Sequence, residues 1–307
     1  MKKIRTFTIM GILILTLLFA GCTGIDVFGS PSKNELRIAT TTSLYDTGLL
    51  DHLQPIFEER YDARLLIVSA GTGKALEYGQ RGDVDVMMVH DRSREDTFIS
   101  EGHGVERRVV AYNYFILLGP ESDPAGIRGA EPEEAFRRLL ELGTAGDLGI
   151  AFISRGDESG THAKEKAIWR SAGYDYARDI QNSGLWYVEV GRGMGETLVM
   201  ANEKEAYTLS DIGTFLAYKG DLGIVPIVAE GDILLNVYST MLINPKTHTG
   251  IDIDLGKTWI NFLISDEAQE EIATFGLPEY GEPLFFPAQG NWEIMGVPQS
   301  EVTEPVL

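Results

Sequence analysis

The sequence predicts an α/β protein built as two lobes, and three observations predict it. Short apolar runs alternate with amphipathic helical stretches from residue 36 to about residue 275, joined by short connections, as parallel strands with helical crossovers require. The segment Gly119-Pro120-Glu121-Ser122-Asp123-Pro124 breaks that alternation into two series. A late β run at 237–243 crosses back toward the first series, which makes the first lobe discontinuous. At 307 residues the chain exceeds a usual single core.

The elements follow in order. Residues 36–39 read as a strand, and 47–61 as a helix with Leu49, Leu50, Leu53, Ile56 and Phe57 in period and Pro55 as a kink. Residues 64–68 read as a strand, 74–81 as a short helix, 84–89 as a β-rich run and 91–101 as a polar helix. The apolar run 109–118 is a long strand. In the second series 132–143 is a helix with Ala135, Phe136, Leu139 and Leu140 on one face. Then come strand 148–153, helix 161–172, strand 187–190 and helices 194–202 and 211–219. Residues 255–275 read as one long helix burying Trp259, Phe262, Leu263 and Ile272. Crossing strands are placed near 112–118 and 238–244. Beyond Trp292 the Pro-rich, polar composition predicts a mobile or surface-draped tail.

A net charge of −20 excludes a nucleic-acid partner, which needs a basic face. It does not exclude a small anion. Fields are screened over about 8 Å at physiological salt, so a buried pocket of N–H and O–H dipoles can hold a dianion on an acidic protein. The chain has one cysteine, Cys22, so it forms no internal disulfide. Met1-Lys2-Lys3-Ile4-Arg5 is a basic start, an apolar run spans 7–19, and Phe19-Ala20-Gly21-Cys22 follows. That layout is a secretory signal over 1–22 with an end similar to a lipoprotein processing box, Phe19 standing where Leu is favoured. Cys22 is the expected lipid-attachment site, with an uncleaved anchor as the alternative, and 23–34 is a tether.

Three loops between a strand and a helix carry the candidate chemistry. Thr40-Thr41-Thr42-Ser43 offers four hydroxyls where free backbone N–H groups and the positive helix end suit an anion; the plainer reading is one helix cap among β-formers. Ser69-Ala70-Gly71-Thr72-Gly73-Lys74 adds two glycines and the hydroxyls of Ser69 and Thr72, without the spacing of a nucleotide P-loop. Ser154-Arg155-Gly156-Asp157-Glu158-Ser159-Gly160-Thr161-His162 brings one guanidinium together with three hydroxyls. Arginine suits a tetrahedral dianion through its two parallel donors. Ser159 or Thr161 doubles as the cap, and Asp157 and Glu158 are expected to hold Arg155 or face solvent. A fourth stretch, Gly191-Arg192-Gly193-Met194, could close the pocket. Against this stands a weak likeness of the Ser159 loop to a serine-hydrolase nucleophile loop, spoiled by Glu158 and by a His162 only three residues away. The five histidines show no metal-ligand spacing, and no catalytic or metal site is expected.

Together, in this order, these blocks resemble the tungstate-binding proteins of ABC importers, over about residues 36–287. The resemblance rests on Thr40-Thr41-Thr42-Ser43, on Gly71-Thr72-Gly73-Lys74-Ala75-Leu76 followed by Gly82-Asp83-Val84-Asp85-Val86, on Tyr112-Asn113 with Gly119-Pro120, and above all on 154–162. It implies the two-lobed type II periplasmic-binding-protein fold, each lobe a mixed sheet flanked by helices, joined by two crossing strands. Lobe I would comprise 35–115 and 241–307, and lobe II 116–240. It implies Thr41, Thr42 and Ser43 as ligand contacts from the first lobe, Arg155 and Thr161 from the second, and Ser69 and Thr72 at the second helix start, with Ser159 beside them. Tyr114 departs from the family's frequent Asp, and Ile212 from its frequent Arg. The function implied is non-enzymatic: an extracytoplasmic, membrane-anchored, monomeric receptor without cofactor that captures tungstate, or molybdate, and delivers it to an ABC permease. A molybdate or sulfate receptor and a secreted serine hydrolase are the alternatives.

Overall fold

The computed structural model describes residues 34–146 and 149–307. The segments expected as signal (1–22, with Cys22) and tether (up to residue 33), and Leu148, lie outside the described residues. Among the described residues no helix is long and apolar enough to cross a membrane.

The chain opens with β1 (Glu35–Thr41), α1 (Thr42–Asp46), α2 (Leu49–Tyr61), β2 (Arg64–Ala70), α3 (Thr72–Arg81), β3 (Val86–Val89) and α4 (Arg92–Ser100). β1 pairs in parallel with β2 on one side and β3 on the other, so the ends of all three strands lie along one edge. The 47–61 helix is shorter than expected, because Gly48 turns the chain at φ 80° and a separate five-residue helix precedes it. Pro55 is accommodated inside α2; the carbonyl deprived of its donor belongs to Asp51, an exposed residue.

β4 (Gly104–Pro120) is longer than the 109–118 apolar run and organises the rest. After it come α5 (Pro132–Ala145), β5 (Phe152–Ser154), α6 (Gly160–Ser171), β6 (Tyr187–Glu189), α7 (Met194–Glu203), β7 (Thr208–Asp211), α8 (Ile212–Tyr218), β8 (Ile224–Val228) and β9 (Leu235–Ile243). From Gly104 to Tyr114, β4 runs antiparallel to β9, which in turn pairs with β3. From Phe115 to Pro120 it pairs instead with β7 and β8. β5 and β6 pair in parallel, and Phe152 bridges to Tyr207 beside β7. Alternate β4 side chains feed different clusters, as the two-residue strand period dictates: Phe115 and Leu117 join Phe136, Phe152, Trp169 and Tyr207, whereas Ile116 and Leu118 join Leu198 and Phe215.

The expected helix 255–275 is two helices, α9 (Ile253–Leu263) and α10 (Asp266–Thr274). Ser265 divides them, its extended backbone ending one helix while its hydroxyl accepts from the Ala268 N–H to cap the next. Trp259, Phe262, Leu263 and Ile272 are all buried as expected. α11 (Leu277–Tyr280), β10 (Phe286–Pro287), α12 (Trp292–Met295) and α13 (Ser300–Thr303) complete the chain. The tail is surface-draped but docked rather than loose. Val302 and Val306 are buried, and Asn261 exchanges two hydrogen bonds with the Val306 backbone at 2.7 and 3.0 Å.

One buried ion pair fixes the first series. Arg37 of β1 donates to both carboxylate oxygens of Asp85, at 3.0 and 2.7 Å, and the Asp252 N–H donates to the same carboxylate at 3.0 Å. The motif Gly82-Asp83-Val84-Asp85 thus places Asp85 as a structural clamp between β1 and the start of α9.

Candidate anion-binding site

The parallel register sets the first side of the site. Thr41 stands opposite Ala70 and Thr40 opposite Met88, so the loops after β1, β2 and β3 meet at the carboxyl edge, where α/β sheets place their ligands. Thr41 caps α1, its hydroxyl accepting from the Leu44 N–H at 3.2 Å. Its oxygen lies 3.3 Å from Ser43 Oγ, which lies 3.0 Å from His90 Nε2. Thr42 takes the first position of α1, half-buried. Thr72 is buried at the first position of α3, whose cap residue Gly71 supplies no side-chain bond to the free N–H groups. Ser69 stands opposite Thr40, one step back from the edge, and is half-buried.

The second side is the 154–162 loop. Gly156 and Glu158 both adopt left-handed backbone, φ 59° and 58°, which folds the loop back on itself. At Gly156 a Cβ would come within 2.6 Å of Glu189 Cβ. The Glu158 N–H donates to His162 Nδ1 at 3.1 Å and the Ser159 N–H to Asp157 Oδ1 at 3.2 Å. Ser159 is the helix cap, accepting from the His162 N–H at 3.3 Å. Arg155 is only 3 % exposed and donates from Nη2 to Asp157 at 2.6 Å, so an acidic neighbour does hold it. The fourth stretch also arrives here: the Gly191 N–H donates to the Arg155 carbonyl at 2.7 Å.

Two residues that sequence reasoning missed bring the sides together. His90 follows β3, and a Cβ on Gly160 would lie 2.6 Å from its ring, so the start of α6 rests directly on it. Arg94 donates from Nη1 to the Glu158 carbonyl at 3.2 Å and lies 3.9 Å from the Cβ position of Gly73. A signal for His90 existed, since it ends a strand at the same edge as the first two loops. Arg94 has no local signature. Electrostatics places Arg155 within reach of both sides. Burial raises the pKa of Asp46 at the end of α1 and of Asp211 before α8, and the Arg155 charge opposes the rise in each. Burial lowers His90 to about 4, with Arg155 and Lys164 adding to the shift.

Among the described residues, three of the expected ligand donors are buried without a partner: Thr72 Oγ1, Thr161 Oγ1 and Arg155 Nε. Leaving such groups unmade costs about 1–3 kcal/mol each. No carboxylate oxygen takes them up. The arrangement therefore offers donors to something that brings its own acceptors.

The hydrolase geometry is absent. The Ser159 oxygen is committed to the helix cap, and the His162 ring turns to the Glu158 N–H and to Tyr176 Oη, 2.8 Å away. Tyr114 lines a cavity of about 800 Å³ with Glu230, Asp232 and Glu293, an acidic lining unsuited to an anion and distinct from the three candidate loops. Ile212 starts α8 and packs against the core.

A family model described as the PBP superfamily domain matches residues 29–267. The tungstate-binding protein TupA of Peptoclostridium acidaminophilum is 38% identical over 292 residues, covering 94% of this chain and 99% of the relative. The chain belongs to the TupA-like family of tungstate-binding proteins, within the PBP superfamily. Two solved structures agree. The tungstate-binding protein TupA from Desulfovibrio alaskensis G20 is 36% identical with a TM-score of 0.71, over 83% of this chain and 99% of that one. The tungstate ABC transporter protein from Geobacter sulfurreducens is 42% identical with a TM-score of 0.69, over 78% and 98%. The expected α/β periplasmic-binding-protein-like fold is therefore the fold of this family, and the family is one of binding proteins rather than enzymes.

Proposed function

We propose that this chain is an extracytoplasmic receptor that captures tungstate between two lobes and delivers it to an ABC permease. The observation carrying the reading is the set of buried, unpartnered donors on Thr72, Thr161 and Arg155, at loops that His90 and Arg94 hold together. Thr41, Thr42, Ser43 and Ser159 would complete the ring, with Ser69 the most distant member. Charge-assisted hydrogen bonds contribute about 1.5–3 kcal/mol each. Six to eight of them supply the roughly 12 kcal/mol of a nanomolar complex after closure is offset. A donor-lined ring disfavours phosphate, which carries a proton at neutral pH, and pocket size disfavours the smaller sulfate.

The lobes would be 35–115 with 241–307, and 116–240, hinged on β4 and β9. Supporting this, β4 changes partners at Phe115, from β9 to β7 and β8. Domain closure about such strands encloses the ligand. The monomer would be tethered outside the membrane through lipidated Cys22. Titration calorimetry with tungstate, molybdate, sulfate and phosphate tests the reading. Tight tungstate binding that Arg155→Ala weakens at least tenfold supports it; equal or tighter binding of phosphate, or an Arg155→Ala variant with unchanged affinity, overturns it.

A further inference from the structure

A chain of hydrogen bonds beneath the site determines which way the Ser43 hydroxyl points. It starts at a backbone carbonyl, which can only accept. Asn113 Nδ2 donates to the Leu284 carbonyl at 3.3 Å, so Asn113 presents its oxygen to Asn236, whose Nδ2 donates to it at 2.9 Å. Asn236 must then present its own oxygen to His90 Nδ1, 2.9 Å away, and Nδ1 carries the proton. In neutral His90 the other nitrogen, Nε2, is an acceptor. It takes the hydrogen of Ser43, whose Oγ lies 3.0 Å off. The free protein thus commits the one hydrogen of Ser43 to His90.

We propose that anion capture is coupled to uptake of one proton at His90 Nε2, which turns Ser43 from a donor to the imidazole into a donor to the bound anion. The inference rests on the oxyanion reading above and on Ser43 as a ligand contact. The balance is simple: one proton from the buffer forms the Nε2–H bond, and the Ser43 hydroxyl rotates without losing its hydrogen. His90 acts as a positioning residue, through Ser43.

The surroundings make the proton conditional on the anion. His90 is buried between Ser43 of α1, Gly160 of α6 and the Tyr238 ring of β9, 4.9 Å between centroids. The charged groups facing it are Asp91 at the cap of α4, Arg155 in the anion loop and Lys164 on α6; Tyr238 is neutral. Burial, above all, and the charges of Arg155 and Lys164 disfavour a cation there, against the hydrogen bond to Asn236 and the charge of Asp91, which favour one. A dianion against the Arg155 loop adds two negative charges beside Arg155, opposing the charge that disfavours a cation at His90.

Calorimetric titration of the full chain with tungstate, at about pH 6 in buffers of differing ionisation enthalpy, counts the protons directly. The expected result is roughly one proton taken up per anion, with the affinity falling up to tenfold per pH unit as pH rises toward the bound-state pKa of His90 and levelling off above it. His90→Gln should bind more weakly with uptake near zero and a flat pH profile. Wild-type binding with no proton uptake overturns the proposal, and so does uptake that persists in His90→Gln. Should that variant fail to fold, the imidazole nitrogen chemical shifts of wild-type His90 decide: a protonated ring only in the complex supports it, a neutral ring in both states overturns it. Absence of binding by any oxyanion would instead overturn the receptor reading itself.

Discussion

Arg94 on α4 grips Glu158 twice, donating to its carbonyl at 3.2 Å while a terminal nitrogen lies 3.6 Å from its carboxylate. Lys166 of α6 holds the same carboxylate from the other side. Glu158 sits in left-handed backbone within the anion loop, so the grip bears on the loop's shape as well as its position.

Arg94→Ala should therefore speed anion release more than it slows capture. The carboxylate contact is partly exposed, and such pairs contribute about 0–1 kcal/mol; the bond to the carbonyl adds about 1 kcal/mol. Stopped-flow fluorescence is expected to show dissociation roughly three- to tenfold faster, with association within about twofold of wild type. An unchanged dissociation rate would rule the clasp out.

Gly160→Ala tests the packing of α6 on His90. The added Cβ would lie 2.6 Å from a ring already held by Ser43 and Asn236, so neither side can give way cheaply. Overpacking of this kind costs about 1–3 kcal/mol. Denaturant unfolding should register that loss, and calorimetry should register anion affinity weakened at least tenfold.

Asp85→Asn removes the charge of the carboxylate to which the buried Arg37 guanidinium donates twice. Breaking a buried pair from one side costs about 3–5 kcal/mol. The chain should unfold at markedly lower urea, while at low temperature the folded fraction keeps its anion stoichiometry, because Asp85 ties β1 to the start of α9.

Glu165 supplies a pH dependence of opposite sign to that of a paired carboxylate. Buried under the anion loop, it accepts from Ser154 at 2.6 Å, Tyr187 at 2.6 Å and Trp169 at 3.2 Å. Burial nevertheless raises its pKa from 4.5 to about 7. The folded protein thus favours the protonated acid. This contribution is fully present below pH 4.5 and is lost as pH rises through about 7. At about 1.4 kcal/mol per pH unit, the span corresponds to roughly 3 kcal/mol. Glu165→Gln should flatten that part of the stability profile; a profile identical to wild type would show that Glu165 ionises freely in the fold.

The fold and most of the candidate site were legible because they depend on local signals. Strand-to-helix junctions rich in Ser, Thr and Gly singled out Thr41, Thr72 and Thr161 as candidates, and side-chain chemistry singled out Arg155. What escaped depends on register and on contacts distant in sequence. His90 gains its place from the β1–β3 pairing and from α6 resting on it, neither of which its own neighbours record. Arg94 reaches a loop 64 residues away. The break at Ser265 was hidden because apolar residues on either side keep a helical period across it. Docking of Val302 and Val306 was hidden because two valines among polar residues carry no periodicity.

β4 also sets how the molecule comes apart. One unbroken backbone is the middle strand for β9 at one end and for β7 and β8 at the other, so neither hydrophobic cluster owns a complete set of neighbours by itself. Melting one half strips hydrogen bonds from the beam that braces the other, and heat should dismantle both in a single endotherm.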